Sequence, residues 1–273
     1  MLTSQPSTDL SAFRQLLSQS KDIVIITGPG LSSDNETPSF AGFWRKWQAQ
    51  DLANPHAFAK NPSRIWEFYH HRRQAVLTAD PNPCYQAIAQ CEEVLSKQER
   101  KVTVITENVD ELHRRAGSQN LLEMHGSLFR TRCLECYYEE DNYNNPICPA
   151  LEGKGLPDRN TEDALILEED LPRCDHLGCN GLLRPAVVWT GEPLDHDLLR
   201  CANDVLNNCD LCLVAGISST MFPVAMFAHQ VVDRGIPVAE FNLEPTLVTM
   251  SCRFHFQGPC AEILPFALCC HKI

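Results

Sequence analysis

Short apolar runs separated by longer stretches of helical spacing set the rhythm of the chain. Asp22-Ile23-Val24-Ile25-Ile26-Thr27 is continuously apolar inside its two polar ends and stops at Gly28. A strand covered on both faces needs no polar alternate positions, so this run predicts a buried parallel strand. The runs at 102–106, 185–189, 211–215 and 237–241 read the same way. Helical patterns fall at 8–19, 57–78, 84–98, 109–116, 195–208, 222–234 and 260–270. Strands alternating with helices predict an α/β fold, a Rossmann-like doubly wound parallel sheet with helices on both faces.

Residues 133–182 break this rhythm. They hold Pro146, Pro149, Pro157 and Pro172, an acidic run near Glu162–Asp170, and two close cysteine pairs. The expected organisation is therefore a sheet domain over 1–132 and 183–273, which includes a helical segment at about 43–100, and a smaller metal-binding insert over 133–182. Cys133-Leu134-Glu135-Cys136 is answered after a long loop by Cys174-Asp175-His176-Leu177-Gly178-Cys179. Two such pairs are the usual layout of a structural Zn²⁺ site, closed by four thiolates and without an open position for chemistry. Cys148 and His176 stay open as replacements for one ligand.

Composition narrows the classes. With 44% hydrophobic and 21% charged residues the chain is a globular protein rather than a disordered one. No apolar run approaches the ~20 residues that span a bilayer, so no membrane partner is expected. A net charge of −12 argues against a nucleic-acid partner, because phosphate binding needs a basic surface. Fourteen cysteines without a secretory pattern at Met1-Leu2-Thr3-Ser4-Gln5-Pro6 point to a reducing compartment. Residues 1–20 show no clear mitochondrial presequence.

Polar chemistry gathers after the apolar runs. Gly28-Pro29-Gly30-Leu31-Ser32 follows the first and suits a phosphate-binding turn, although Gly-x-Gly alone is a weak signal. Thr106-Glu107-Asn108-Val109-Asp110, Gly216-Ile217-Ser218-Ser219 and Phe241-Asn242-Leu243-Glu244 follow three others. Open α/β sheets bind ligands at such strand ends, and Asn242 or Glu244 could reach a ribose hydroxyl. His125, in Glu123-Met124-His125-Gly126, is placed to reach the same crevice, and an imidazole titrates near neutral pH as a general base must. Tyr69 and Arg72 share a helix face at i and i+3. Together they could receive a carboxylate, but spacing alone favours a solvated basic face.

In combination these motifs resemble the sirtuins, NAD-dependent protein lysine deacylases. Gly28-Pro29-Gly30-Leu31-Ser32 is similar to the family's Gly-Ala-Gly-x-Ser, and Thr106-Glu107-Asn108-Val109-Asp110 to its Thr-Gln-Asn-Ile-Asp. Met124-His125-Gly126 matches its x-His-Gly, and the cysteine pairs match its zinc ribbon. Within the family the chain looks most like the mitochondrial desuccinylase and demalonylase branch. Trp44-Arg45-Lys46-Trp47-Gln48-Ala49-Gln50-Asp51-Leu52-Ala53 and the Tyr69-x-x-Arg72 pair carry that closer likeness. The resemblance implies NAD and Zn²⁺ as cofactors, acylated protein lysines as partners, and His125 as the catalytic base. It implies cofactor contacts from Gly28, Pro29, Gly30, Leu31, Ser32, Phe40, Trp44, Glu107, Asn108, Val109, Asp110, Gly216, Ile217, Ser218, Asn242, Leu243, Glu244 and Cys260. It gives Tyr69 and Arg72 the free carboxylate of succinyl-, malonyl- or glutaryl-lysine, and Val188 the substrate peptide. It assigns the metal to Cys133, Cys136, Cys174 and Cys179. Nicotinamide and an O-acyl-ADP-ribose would be the products. The implied compartment is the mitochondrion, with cytosol and nucleus open, and oligomeric state is unread.

Several departures fall on the cofactor loop. Pro29 replaces an Ala and removes an N–H, Glu36 replaces a permissive Gly, and Ala41 replaces an Arg. Glu107 replaces a Gln, and a carboxylate there is expected to cost on the order of 1–4 kcal/mol beside a pyrophosphate. Ala186, Thr190 and Ile217 replace a His, a Phe and a Thr or Ser. The alternative to an active enzyme is therefore an impaired relative that keeps the fold and binds acyl-lysine without efficient turnover. An ordinary nicotinamide dehydrogenase suits neither the closed metal site nor the Met124-His125-Gly126 context.

Overall fold

The computed structural model describes residues 5–32, 42–217 and 224–269. Along the chain, α1 (Leu10–Gln19) and β1 (Asp22–Thr27) are followed by a short ribbon of β2 (Phe43–Trp44) and β3 (Trp47–Gln48). Helices α2 (Ala49–Leu52), α3 (Pro55–Lys60), α4 (Pro62–Thr78) and α5 (Pro83–Ser96) precede β4 (Lys101–Thr106). Next come α6 (Leu112–Ala116), β5 (Leu121–Glu123), β6 (Gly126–Cys133), β7 (Glu139–Asp141) and β8 (Leu183–Val187). The chain continues with α7 (His196–Asn208), β9 (Leu211–Ala215), α8 (Val224–Asp233), β10 (Val238–Asn242), β11 (Phe254–Gln257) and α9 (Cys260–Ala267). No helix among the described residues is long and apolar enough to cross a membrane.

The chain divides into two compact units, one from residues 1–35, 80–124 and 195–273, the other from 36–79 and 125–194. The first holds a six-stranded sheet in the order β11-β10-β9-β1-β4-β5, with every pair parallel. From β1 the chain builds outward through β4 and β5, then returns to the other side of β1 with β9. The order reverses between β1 and β9, which puts a ligand crevice at their carboxyl ends. Strands β1, β4 and β9 are apolar on both faces, as their sequences require, with Ile23, Ile25, Val104 and Leu213 almost wholly buried. Phe13 of α1 packs edge-on against Phe241, Phe254 and Phe256.

The second unit holds an antiparallel sheet in the order β7-β6-β8, the β2–β3 ribbon, and helices α2 to α4. Its interior is knit by charge. Glu67 of α4 is buried, pairs with Arg45 at 2.8 Å, and accepts from the Ala164 N–H at 2.9 Å. Asp163 joins Arg45 at 3.2 Å and Arg64 at 2.6 Å. Arg73, also buried, donates to the carbonyls of Leu128, Asn142 and Asn144. These bonds tie residues 43–79 to the cysteine-bearing segment within one unit.

Three expectations need correction. The run at 185–189 is not a parallel strand of the main sheet, because β8 pairs antiparallel with β6; an apolar run cannot tell the two apart. The helix read at 57–78 is two helices. Asn61 caps α4 by accepting from the Arg64 N–H, and Pro62 stands at its first position, where no N–H is needed. The helix read from 109 begins only at Leu112, since Glu111 is left-handed (φ 58°) and Asp110 Oδ1 takes the Leu112 N–H. Strands β2, β3, β5, β6, β7 and β11 have no long apolar run, and the apolar pattern does not predict them.

Candidate active site

The turn after β1 meets the turn after β9 backbone to backbone. A Cβ at Gly28 would stand 2.7 Å from the Gly216 carbonyl oxygen, and one at Gly30 would stand 2.8 Å from Gly216 Cα. Gly216 itself is left-handed (φ 62°) and admits no side chain against the Leu31 nitrogen. These glycines therefore serve close approach. They do not leave a row of free donors: the N–H groups of Gly28, Gly30, Leu31 and Ser32 bond to the carbonyls of Ala215, Gly216, Gly28 and Pro29. Leu31 and Ile217 are buried here. Asn242 ties the same edge together, donating from Nδ2 to the Ile217 carbonyl at 2.8 Å and accepting the Leu243 N–H at Oδ1. Leu243 and Glu244 stand exposed, and Cys260 is buried with Sγ against the Phe241 carbonyl. Phe40 and Ser218 lie outside the described residues.

Side chains supply the polar centre. Ser32 Oγ donates to Asp110 Oδ2 at 2.9 Å and lies 2.6 Å from the hydroxyl of Tyr85. Asn108 Nδ2 donates to that hydroxyl at 3.0 Å, while the Asn108 N–H is held by Thr106 Oγ1. Thr106 Oγ1 in turn accepts from Thr27 Oγ1, which lies 2.8 Å from Nε2 of buried His113. Burial pulls His113 down to about 3, so it works as a neutral ring. Glu107 and Val109 are buried, and burial pushes the Glu107 carboxyl up to about 8. Sequence reasoning missed Tyr85 and His113. Each sits in an otherwise ordinary helix, and no local pattern marks it.

In the second unit His125 is buried, and its carbonyl accepts the Val188 N–H at 2.9 Å. Gly126 beside it is left-handed (φ 78°), and a Cβ there would fall 2.1 Å from the Ala186 carbonyl oxygen. The glycine of the His-Gly pair is thus fixed by its pairing against β8. Val188 is half-buried just beyond β8, an edge strand of its sheet. Tyr69 is wholly buried, and its hydroxyl accepts from Trp189 Nε1 at 2.7 Å. Burial pushes the Tyr69 phenol up despite Arg72 nearby, so it stays a proton donor. Arg72 is 8% exposed, its guanidinium 5.6 Å from the Phe68 ring centre and 5.9 Å from that of Tyr69. The solvated basic face that spacing favoured is absent here, since His70, Arg72 and Arg73 all point into the protein. Trp189 is itself braced: Arg184 stacks 3.5 Å from its ring centre and is held by Glu192. Trp44 is buried, donating to the Gly155 carbonyl and packing edge-on against Phe68.

The four paired cysteines converge. Their sulfurs all lie within 4.8 Å of one another, with Cys133–Cys179 and Cys136–Cys174 at 3.7 Å. A tetrahedron of Zn–S bonds of ~2.3 Å has edges of ~3.8 Å, so the set fits Zn²⁺. Gly181 lets the chain close over it, for a Cβ there would stand 2.7 Å from Cys133 Sγ. His176 instead stacks on Tyr138, and Cys148 is not part of the cluster.

A parallel sheet with its switch point at two glycine turns, together with a four-cysteine module, defines an α/β protein of the dinucleotide-binding kind. The Sir2 family model matches residues 28–223. The NAD-dependent protein deacylase sirtuin-5, mitochondrial, of Xenopus tropicalis is 57% identical over 271 residues, covering 98% of this chain and 88% of that protein. A Sir2 homologue mutant solved with 2'-O-acetyl ADP ribose has a TM-score of 0.81 at 33% identity, covering 96% of this chain and 95% of that one. A Sir2 homolog–NAD complex has a TM-score of 0.80 at 32% identity, covering 97% and 94%. The chain belongs to the Sir2 family, as the resemblance implied.

Proposed function

We propose that the chain removes succinyl, malonyl or glutaryl groups from protein lysines, with NAD as co-substrate and nicotinamide and O-acyl-ADP-ribose as products. NAD-dependent protein deacylation is the activity in the name of its 57% identical relative, and the mitochondrial location follows the same name. The choice of acidic acyl groups rests on one observation, a buried guanidinium beside a buried phenol whose lone pair is already taken by Trp189. The Tyr69 phenol keeps its proton to donate, and Arg72 offers charge and a planar fork. A carboxylate can accept from both, whereas a neutral acetyl methyl accepts from neither.

The other roles follow from the residues present. NAD, when bound, supplies a ribose carbon from which nicotinamide can leave. Ser32, Asn108 and Asp110 would hold it, and Glu107 would stand close by. His125 would take a proton from a ribose hydroxyl. Val188 would meet the substrate backbone at the edge of the β8 sheet. Cys133, Cys136, Cys174 and Cys179 would hold Zn²⁺, which supports the module and takes no part in the reaction.

Binding without efficient turnover is a second reading. It draws on the turn at 28–32, whose N–H groups are committed to carbonyls and whose Pro29 has none. Incubation with NAD and a succinyl-lysine peptide separates the two by nicotinamide release. The expected result is product from the native chain and none from His125→Tyr. Arg72→Met should lower desuccinylation by about 10–100-fold, the range for a lost charged hydrogen bond, and leave deacetylation nearly unmoved. Equal loss of both activities would refute the carboxylate receptor, and no release by the native chain would favour the second reading.

A further inference from the structure

We propose that Tyr85 is a positioning residue of the NAD site, its hydroxyl fixing which way the Asn108 side-chain amide faces. This rests on the NAD-dependent reading above. The argument is a count of protons. A hydroxyl has one hydrogen to give. Ser32 gives its hydrogen to Asp110 Oδ2 at 2.9 Å, so across the 2.6 Å contact Ser32 Oγ can only accept, and Tyr85 donates. The other acceptor within reach of the Tyr85 hydrogen is Asp110 Oδ2 itself, at 3.3 Å. By either route the phenol hydrogen points toward the Asp110 carboxylate. Asn108, 3.0 Å away on the other side, therefore meets a lone pair and must present its NH₂.

The polarity thus runs from Asn108 through Tyr85 to the charge on Asp110. It leaves Asn108 Oδ1 and its second N–H facing a defined direction, where a flipped amide would exchange donor for acceptor. The surroundings hold the relay rigid. Tyr85 is fully buried, with its ring edge-on to His113 at 4.6 Å, and low dielectric strengthens each link. Burial and the neighbouring Asp110 keep the phenol protonated far above neutral pH. The backbone N–H groups of Asn108 and Leu112 are tied to Thr106 Oγ1 and Asp110 Oδ1, so the loop cannot turn to compensate.

Tyr85→Phe removes only the oxygen. Calorimetry should give a Kd for NAD about 3–10-fold weaker than native, as for one lost hydrogen bond, with the Kd for succinyl peptide unchanged. In an Asn108→Ala background the same change should cost less than about twofold, because the partner is gone. Unchanged NAD affinity, or equal cost in both backgrounds, overturns the role. A native chain that binds no NAD overturns the NAD-dependent reading and this role with it, whereas native binding indifferent to Tyr85→Phe overturns this role alone. Hydrogen exchange of the native Asn108 side-chain amide decides the matter even if the variant does not fold. One slowly exchanging proton is expected, and exchange as fast as a free amide refutes the relay.

Discussion

At Glu107 one atom of difference from the family's Gln carries the strongest departure of the chain. A carboxylate beside a pyrophosphate is costly, but that cost assumes an ionised group. Glu107 is buried, and its Oε2 lies 3.1 Å from where a Cβ on Gly28 would stand. Burial pushes it up to about 8 from an ordinary 4.5. A protonated carboxyl has a donor and an acceptor, as an amide has, so at neutral pH Glu107 stands in for Gln without charge. The sign for stability is unfavourable with rising pH. Between 4.5 and about 8 the native state keeps a proton that the unfolded chain has lost, so stability falls across that window. NAD affinity should therefore decline as pH rises from neutral to beyond 8. Glu107→Gln should match native affinity at pH 7 to within about twofold and flatten the alkaline decline. Calorimetric titrations at several pH values check this, and an unchanged pH profile in the variant would remove Glu107 from the effect.

Among the elements, legibility followed burial. Strands β1, β4 and β9 could be read because covering both faces of a parallel strand makes its sequence a continuous apolar run. Strand β6 could not, because its buried positions include Ser127 and Thr131 and its pattern resembles a loop. The break before α4 was written in Asn61-Pro62, a capping side chain followed by a residue without an N–H, and apolar periodicity obscured it. The glycine turns and the His-Gly pair stand out as motifs, but that Gly28, Gly30 and Gly216 serve close approach emerges only when two distant turns meet. Trp189 was visible only as the end of an apolar run. Its value lies in the indole N–H, which reaches Tyr69 from 120 positions along the chain. Trp189→Phe keeps a ring and removes that donor, so the Tyr69 hydroxyl is free to turn away. The expected loss is about 3–10-fold in kcat/KM for succinyl peptide, with acetyl peptide nearly unaffected. A parallel fall for both substrates would mean that the indole serves packing alone.

For the whole molecule, the distribution of stability between the two units depends on the metal. The first unit has an apolar core of its own under α1, α5 and α9. The second relies on buried ions and on a three-stranded sheet whose central strand β6 ends at Cys133, one of the four ligands. Strand β8 starts only four residues beyond Cys179, so the cysteine turns pin β6 and β8 at one end of their ladder. Structural Zn²⁺ binding is worth on the order of 10–16 kcal/mol in small modules and is coupled to their folding. Chelation should therefore split thermal unfolding into two transitions. The near-ultraviolet signal of Trp66 and Trp189 should go first, while the far-ultraviolet signal of the parallel sheet and its helices persists. Cys136→Ala should behave as the chelated chain does, and native protein should carry one zinc per chain by elemental analysis. A chelated chain that still melts in one transition at the native temperature would show that the buried ion network of Arg45, Glu67 and Asp163 holds the second unit without the metal.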